Sequence, residues 1–394
     1  MKILVINSGG SSIKYQLFRM DGGEDSLCQG SVKRLYREDA FLEGVFRDKK
    51  IKKEQPQIDH EQGLKLILET LKEEDFLQSE KDLGAIGIKL INGGKQITQT
   101  SFIDQQVIAT LEDLAQVTAV HNPPALLAIK IFQEQTPSVP LIGVFETTFH
   151  LSIPLPHRLY GLPWELCQEL KIEKLGFHGN SHRYISSRVR ELSPSSRKLI
   201  SCHLGSGGSV CAIYDGKSFD ISSGFTPQSG TIMSTRPGDF DPQVITYLEE
   251  KKGWTPDKIN NILTRESGLL GISGVSSEMW ELEKLAETGN ERAQLAIEVF
   301  VYQVKKYIGA FLALLNGVEV LSFTGGIGEN DPYIRKQICS GLDFINLFLD
   351  QKANREMVGK EGKISSAASA VEVWVVPTNE ELMIAREVYR LLAG

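Results

Sequence analysis

Short apolar, β-favouring runs alternate in this chain with longer stretches whose apolar residues recur every three or four positions. Residues 199–202 form one such run, and it breaks into Gly205-Ser206-Gly207-Gly208-Ser209. A second run, 210–214, follows and is closed by Asp215-Gly216. This pattern predicts a β-hairpin with a Gly/Ser turn. Residues 26–53, 83–91, 141–145, 318–324 and 371–376 read as further strands, the third-named leading into Glu146-Thr147-Thr148 at the seam between two halves. Helical periodicity covers 58–76 (Leu64, Ile67, Leu68, Leu71), 108–118, 125–134, 184–192, 242–251, 256–265 and 280–315. A terminal helix starts at Thr378-Asn379-Glu380-Glu381, where Thr378 and Glu381 have the spacing of a capping box. Residues 293–315 lack a strong polar face, so burial between elements or at a subunit interface is expected. Strands alternating with helices, and meanders at the Gly/Ser turns, predict an α/β architecture with mixed sheets.

The same pattern opens the chain. Lys2, Asn7, Gly9 and Asp21-Gly22 match Lys198, His203, Gly205 and Asp215-Gly216 in order. Each copy reads strand, polar residue, Gly/Ser turn, strand, Asp-Gly. Glycines in such a turn let backbone N–H groups approach an anion, and serines add hydroxyl donors. A single copy is equally an ordinary tight turn. Two copies half a chain apart point to two similar domains facing one nucleotide. Strand patterns after the glycines exclude a Walker A loop and a Rossmann fingerprint, both of which open a helix.

Composition narrows the picture only slightly. The 394 residues suffice for about two domains, and 41% hydrophobic with 24% charged residues describes a globular chain. A net charge of −7 argues against a nucleic-acid or anionic-membrane partner. The basic run 47–53 reads as a solvated hairpin face. The five cysteines form no C-x-x-C and fit buried thiols in a reducing compartment. No apolar run reaches 18 residues, so a cytoplasmic protein is expected.

The segments VINSGGSSIKYQL, HNPPAL, GFHGNSHRY, HLGSGGS, GFTPQSGTIMSTRPGDFDP, FTGGIGEN and PTNEELMIA, in this order from residue 3 to 385, closely resemble the acetate kinase family. The resemblance implies two duplicated ribonuclease-H-like (actin-like ATPase) domains with mixed β-sheets. Residues 1–147 would bind acyl substrate and metal, with helix 379–394 packed on them. Residues 148–378 would bind nucleotide and dimerise. It further implies ATP-dependent phosphorylation of a short-chain carboxylate, Mg²⁺ (Mn²⁺ as a substitute) and a homodimer. A carboxylate is already ionised at pH 7, so no base is needed to make it attack phosphorus; sugar kinases of the same superfamily must deprotonate a hydroxyl. What remains is neutralisation and alignment of the phosphoryl group.

By this resemblance Arg236 and His178 serve the phosphoryl oxygens, and Glu146 stands at the position of a catalytic aspartate. Lys89, Ile91, Val120, His121, Phe177 and Pro227 would receive the acid. Ser12 and Lys14 would face the phosphates, although Lys14 is equally an exposed strand lysine. His203, Gly205, Ser206, Gly207 and Gly208 would cradle phosphates; Gly326, Ile327, Gly328, Glu329 and Asn330 would hold the ribose edge. Glu278 and Trp280 would flank the base, with Trp280 also readable as core beside Leu282. Asn7 and Glu380 would hold the metal, Glu381 being left to cap the helix. The chain departs from the family pattern at Lys89 (an arginine), Asn92 (a histidine), Glu146 (an aspartate) and Trp280 (an arginine). These changes keep open another carboxylate or phosphate donor, or a weakly active nucleotide sensor.

Overall fold

The computed structural model describes residues 1–114 and 122–394. It divides into two units, Met1–Thr148 with Asn379–Gly394, and Phe149–Thr378.

The first unit is built on an eight-stranded sheet. Its strands are β1 (Lys2–Ser8), β2 (Ser12–Arg19), β3 (Asp25–Lys33), β4 (Phe41–Phe46), β5 (Lys49–Glu54), β6 (Leu83–Leu90), β7 (Ser101–Phe102) and β8 (Leu141–Phe145), in the order β5-β4-β3-β2-β1-β6-β8-β7. Strands β1 to β5 form an antiparallel meander; β6 runs parallel to β1 and β8 parallel to β6. The central run of β1, residues 3–6, is apolar because both its faces are covered. Leu4 and Ile6 pack with Leu64, Ile67, Leu68 and Leu71 of helix His60–Glu73. Ile3 and Val5 pack with Ile384, Ala385 and Val388 of the terminal helix Glu380–Ala393. That helix is not capped by Thr378: the Asn379 side chain accepts from Leu382 N–H, so the expected capping box is replaced by an Asn cap. The basic run 47–53 lies in the β4–β5 hairpin at the sheet edge, as its polarity predicts.

The second unit repeats the wiring. Strands β9 (Lys198–Leu204), β10 (Gly208–Tyr214) and β11 (Lys217–Ile221) form a meander, and β12 (Val320–Thr324), β13 (Gly362–Lys363) and β14 (Glu372–Val375) complete the order β11-β10-β9-β12-β14-β13. Strand β12 is parallel to β9 and β14 parallel to β12, as β6 and β8 are to β1. The helical stretch 280–315 is broken at Thr288-Gly289-Asn290, where Asn290 caps a second helix, Glu291–Leu314. This helix is not buried all round. Ala293, Ala296, Ile297, Phe300, Val304, Ile308 and Phe311 line its buried face, while Leu295 and Tyr302 are exposed. All five cysteines are buried thiols.

Candidate active site

The Gly/Ser turn between β9 and β10 is the centre of the second unit's polar cluster. A Cβ on Gly207 would lie 2.8 Å from Arg236 Nη2 and 3.3 Å from His178 Nε2. Two cationic or donor groups therefore converge on a backbone position that only glycine leaves open. A Cβ on Gly208 would come 3.2 Å from Thr231 Oγ1, a hydroxyl that is buried and has no hydrogen-bond partner among the described residues. A bare turn flanked by a guanidinium, an imidazole and an unused buried hydroxyl has the donor chemistry of an oxyanion or phosphoryl site.

Local structure explains how these groups arrive. His178 has φ 56° and ψ 28°, a left-handed conformation uncommon for histidine, and it starts helix Gly179–Leu192. Its ring stacks on His203 with centroids 4.3 Å apart. Arg236 Nη1 donates to Pro227 O at 2.6 Å, and burial lowers the guanidinium's pKa. The loop 224–241 that carries Arg236 and Pro227 is held by hydrogen bonds within itself and to the turn. Asp239 Oδ1 accepts from Gly230 N–H at 2.8 Å, and Ser234 N–H donates to Ser206 O at 3.1 Å. Phe177 is buried; its N–H donates to Ser223 Oγ and its carbonyl accepts from His150 Nε2. His150 is fully enclosed and held neutral, burial driving its pKa down to about 3.

A cavity of about 300 Å³ adjoins the turn. Gly205, Ser206, Ser234, Glu278, Met279, Trp280, Gly326, Ile327, Asn330 and Asp331 are among its walls. Of the expected nucleotide residues, Gly205, Ser206, Glu278, Trp280, Gly326, Ile327 and Asn330 thus meet around one space. Gly328 and Glu329 do not line it. The one-turn helix Gly325–Asn330 directs them inward: Gly328 O accepts from Arg335, and Glu329 Oε1 accepts from Gly325 N–H and Thr378 N–H. Trp280 is 55% exposed, with Lys284 Nζ 4.6 Å from its ring centroid, so the core reading of Trp280 fails.

In the first unit, Lys89, near the end of β6, meets two carboxylates. Its ammonium is 2.6 Å from Glu380 Oε2 and 3.2 Å from Glu146 Oε1. Burial alone would lower the lysine's pKa; the charges of Glu146 and Glu380 and the Glu380 hydrogen bond more than offset this and raise it. Ile91 follows β6, its carbonyl accepting from Thr147 N–H. Asn92 Oδ1 accepts from Gly94 N–H and shapes the turn. Asn7 is paired across the hairpin with Lys14, so both side chains lie on one face of the sheet. Ser12 opens β2. Lys14 is exposed in a groove shared with Lys33, Lys50, Lys52 and Glu381. Val120 and His121 lie outside the described residues. Among the described residues no group of three or more His, Cys, Asp or Glu is placed to hold a metal. The amide oxygen of Asn7 and the carboxylate of Glu380 are hard oxygen donors, and this small set fits Mg²⁺, which keeps several waters and substrate oxygens.

Sequence reasoning assigned no role to Thr231, Ser234 or His182, and it read Ser209 as part of the phosphate turn, whereas its hydroxyl bonds to His178 and His182. All four lie inside motifs quoted above, and their place in polar, glycine-flanked segments was the available signal.

The acetokinase family model matches residues 2–386. An acetate kinase of Pseudothermotoga lettingae is 42% identical, over 100% of this chain and 98% of its own length. Among solved structures, an acetate kinase of Porphyromonas gingivalis aligns with TM-score 0.91 at 38% identity, covering 99% of both chains. A propionate kinase of Francisella tularensis aligns with TM-score 0.92 at 34% identity, covering 98% of both. Similarity of this extent, from the first strand into the terminal helix and across both mixed sheets, makes this chain a member of the acetokinase family.

Proposed function

We infer that this ATP-dependent carboxylate kinase transfers the γ-phosphate of ATP reversibly to acetate or a similar short-chain acid, giving an acyl phosphate and ADP. The observation that carries this reading is the convergence of Arg236 Nη2 and His178 Nε2 on Gly207. A carboxylate nucleophile needs no base, so a site made of phosphoryl-directed donors suffices.

In this reading, the His203–Gly208 turn and Ser206 hold the phosphates, with Thr231 Oγ1 as a further donor. Arg236 and His178 neutralise charge that builds on the transferred group, and such contacts strengthen in the transition state. The base and ribose occupy the cavity beside Trp280, Glu278, Gly326 and Ile327. Ile91, Phe177 and Pro227, with Val120 and His121, would line the acid's site; Lys89, held by Glu146, would face its carboxylate. Asn7 and Glu380 would hold Mg²⁺, or Mn²⁺ in its place, which lowers the negative charge on the phosphates. Cytoplasmic operation is supported by the buried thiols. A homodimer is supported by the exposed Leu295 and Tyr302 on the helix Glu291–Leu314.

The test is ADP release together with hydroxamate trapping of the acyl phosphate, across a panel of short acids. Arg236→Ala and His178→Ala should each cut kcat by roughly 10²–10³-fold while changing KM for the acid far less. Unchanged kcat in both variants removes them from the site.

A further inference from the structure

Beneath the phosphate turn runs a row of buried polar side chains with a single direction. Period two along β9 puts Ser201 and His203 on one face, and Ser209 of β10 is paired with His203 on that face. Helix Gly179–Leu192 covers it and inserts His182. Ser201 Oγ is 3.0 Å from His182 Nδ1, His182 Nε2 is 2.8 Å from Ser209 Oγ, and Ser209 Oγ is 2.9 Å from His178 Nδ1. Ser201, His182 and Ser209 are each fully buried. We propose that His182 and Ser209 are positioning residues that hold His178 as its Nε2–H tautomer, with that N–H aimed at the phosphoryl position beside Gly207. The proposal rests on the reading of His178 as a catalytic residue.

Proton counting sets the direction. Among the described residues, His182 Nδ1 is the one side-chain partner of the Ser201 hydroxyl. If His182 carried its proton on Nδ1, that proton would point at Ser201 Oγ, and the hydroxyl hydrogen of Ser201 would be buried without an acceptor, which is costly. Ser201 therefore donates to His182 Nδ1. A neutral imidazole has one donor and one acceptor, so His182 carries its proton on Nε2 and donates to Ser209 Oγ. Burial keeps His182 neutral, its pKa well below the usual histidine value. The Ser209 hydroxyl, already accepting, has one proton to give and gives it to His178 Nδ1. A neutral His178 is then protonated on Nε2, the nitrogen 3.3 Å from where a Gly207 Cβ would stand. The stack on His203 fixes the plane of the ring. A serine-to-serine relay through a neutral histidine thus does here what a carboxylate does elsewhere for a catalytic imidazole: it chooses the tautomer and the aim.

The experiment uses the full chain labelled with ¹⁵N-histidine, with His178 signals assigned by their loss in His178→Gln. The wild type is expected to show His178 protonated on Nε2 with a hydrogen-bonded, unprotonated Nδ1. In Ser209→Ala the Nδ1 signal should move to its unbonded position and the Nδ1–H tautomer become measurable. kcat should fall about tenfold, less than the roughly 10²–10³-fold of losing the donor outright, with KM for ATP and the melting temperature nearly unchanged. Ser209→Thr, which keeps the hydroxyl, should restore both signals and kcat. His182→Gln is the second probe, and Ser209→Ala decides if that variant does not fold. Wild-type His178 protonated on Nδ1, or a His178 spectrum unaltered in Ser209→Ala, overturns the proposal. A spectrum that shifts with kcat unchanged supports the relay and overturns the catalytic role of His178, separating the two failures.

Discussion

The Lys89 ammonium lies 2.6 Å from Glu380 Oε2, although 291 residues separate the two in sequence, and Glu146 closes the cluster from 3.2 Å. The lysine thus occupies, with its own positive charge, the carboxylate proposed to hold the metal. An ammonium on a flexible stem can be displaced by a divalent cation, but it competes with one.

Lys89→Met is expected to leave the two carboxylates buried without that ammonium and to destabilise the protein by ~3–5 kcal/mol in metal-free buffer. Mn²⁺ should then raise the melting temperature of the variant more than that of the wild type. Titration of free Mn²⁺ by electron paramagnetic resonance, without nucleotide, should show about tenfold tighter binding, a difference of roughly 1.4 kcal/mol. Equal Mn²⁺ effects in both proteins would show that Lys89 does not compete.

With its ammonium engaged by Glu380 and Glu146, Lys89 lacks the planar fork that grips both oxygens of a carboxylate. Acetate should therefore be a slow substrate, turned over below the roughly 1–100 s⁻¹ usual for kinases, with a high KM. The combined Lys89→Arg, Asn92→His, Glu146→Asp variant should raise kcat/KM for acetate by more than the product of the single changes, since neighbouring sites couple. Ordinary rates in the unmodified protein would refute this. A triple variant with no gain, beside good turnover of another acid, would mark a changed substrate.

Gly207→Ala places a methyl group 2.8 Å from Arg236 Nη2. The guanidinium must move, and misplacement by about 1 Å costs on the order of 10²-fold in rate. kcat should fall by that order while urea unfolding stays within about 1 kcal/mol of wild type. A fully active Gly207→Ala enzyme would mean that the turn does not bring these groups to the reacting phosphate.

His150 and His182 are enclosed as neutral rings, their pKa values depressed by burial. Below the unfolded value near 6.5 the unfolded chain takes up protons that the native state refuses, so stability falls as pH drops from about 6.5 towards 3. The His150 ring should remove about 2 kcal/mol between pH 7 and pH 5, and His182 acts in the same direction. Urea unfolding at the two pH values measures the loss, and His150→Gln should abolish the share due to that ring. An undiminished slope in that variant would place the titrating groups elsewhere.

Trp280, exposed on the wall of the cavity proposed to hold the nucleotide, can stack on any purine and reads no exocyclic group by itself. ATP and GTP should be used within about tenfold of each other, a gap of roughly 1.4 kcal/mol. A strong ATP preference that persists in Trp280→Arg would show that the base is read by other residues.

Local pattern decided much of this protein. The apolar run 3–6 is legible as a strand covered on both faces because it has no polar alternation, and the two Gly/Ser hairpins are legible because turn chemistry is local. The duplicated wiring of the two sheets follows from those repeats. Helix ends were less legible: Thr378 has the spacing of a cap, yet Asn379 caps, because the backbone at the helix start decides which oxygen reaches Leu382 N–H. The motifs also marked His178 and Arg236 for the phosphoryl oxygens and Gly207 for the phosphate cradle, without saying that the three meet. Only the tertiary structure decided that Glu329 serves Gly325 and Thr378, that Trp280 faces solvent, and that Ser201, His182 and Ser209 form a directed relay. It likewise decided that Lys89 lies between Glu146 and Glu380. Strand and helix periodicity assign a side chain to a face. Which charges and hydroxyls then meet is set by packing segments far apart in sequence, where a buried polar group must find its partner or destabilise the fold.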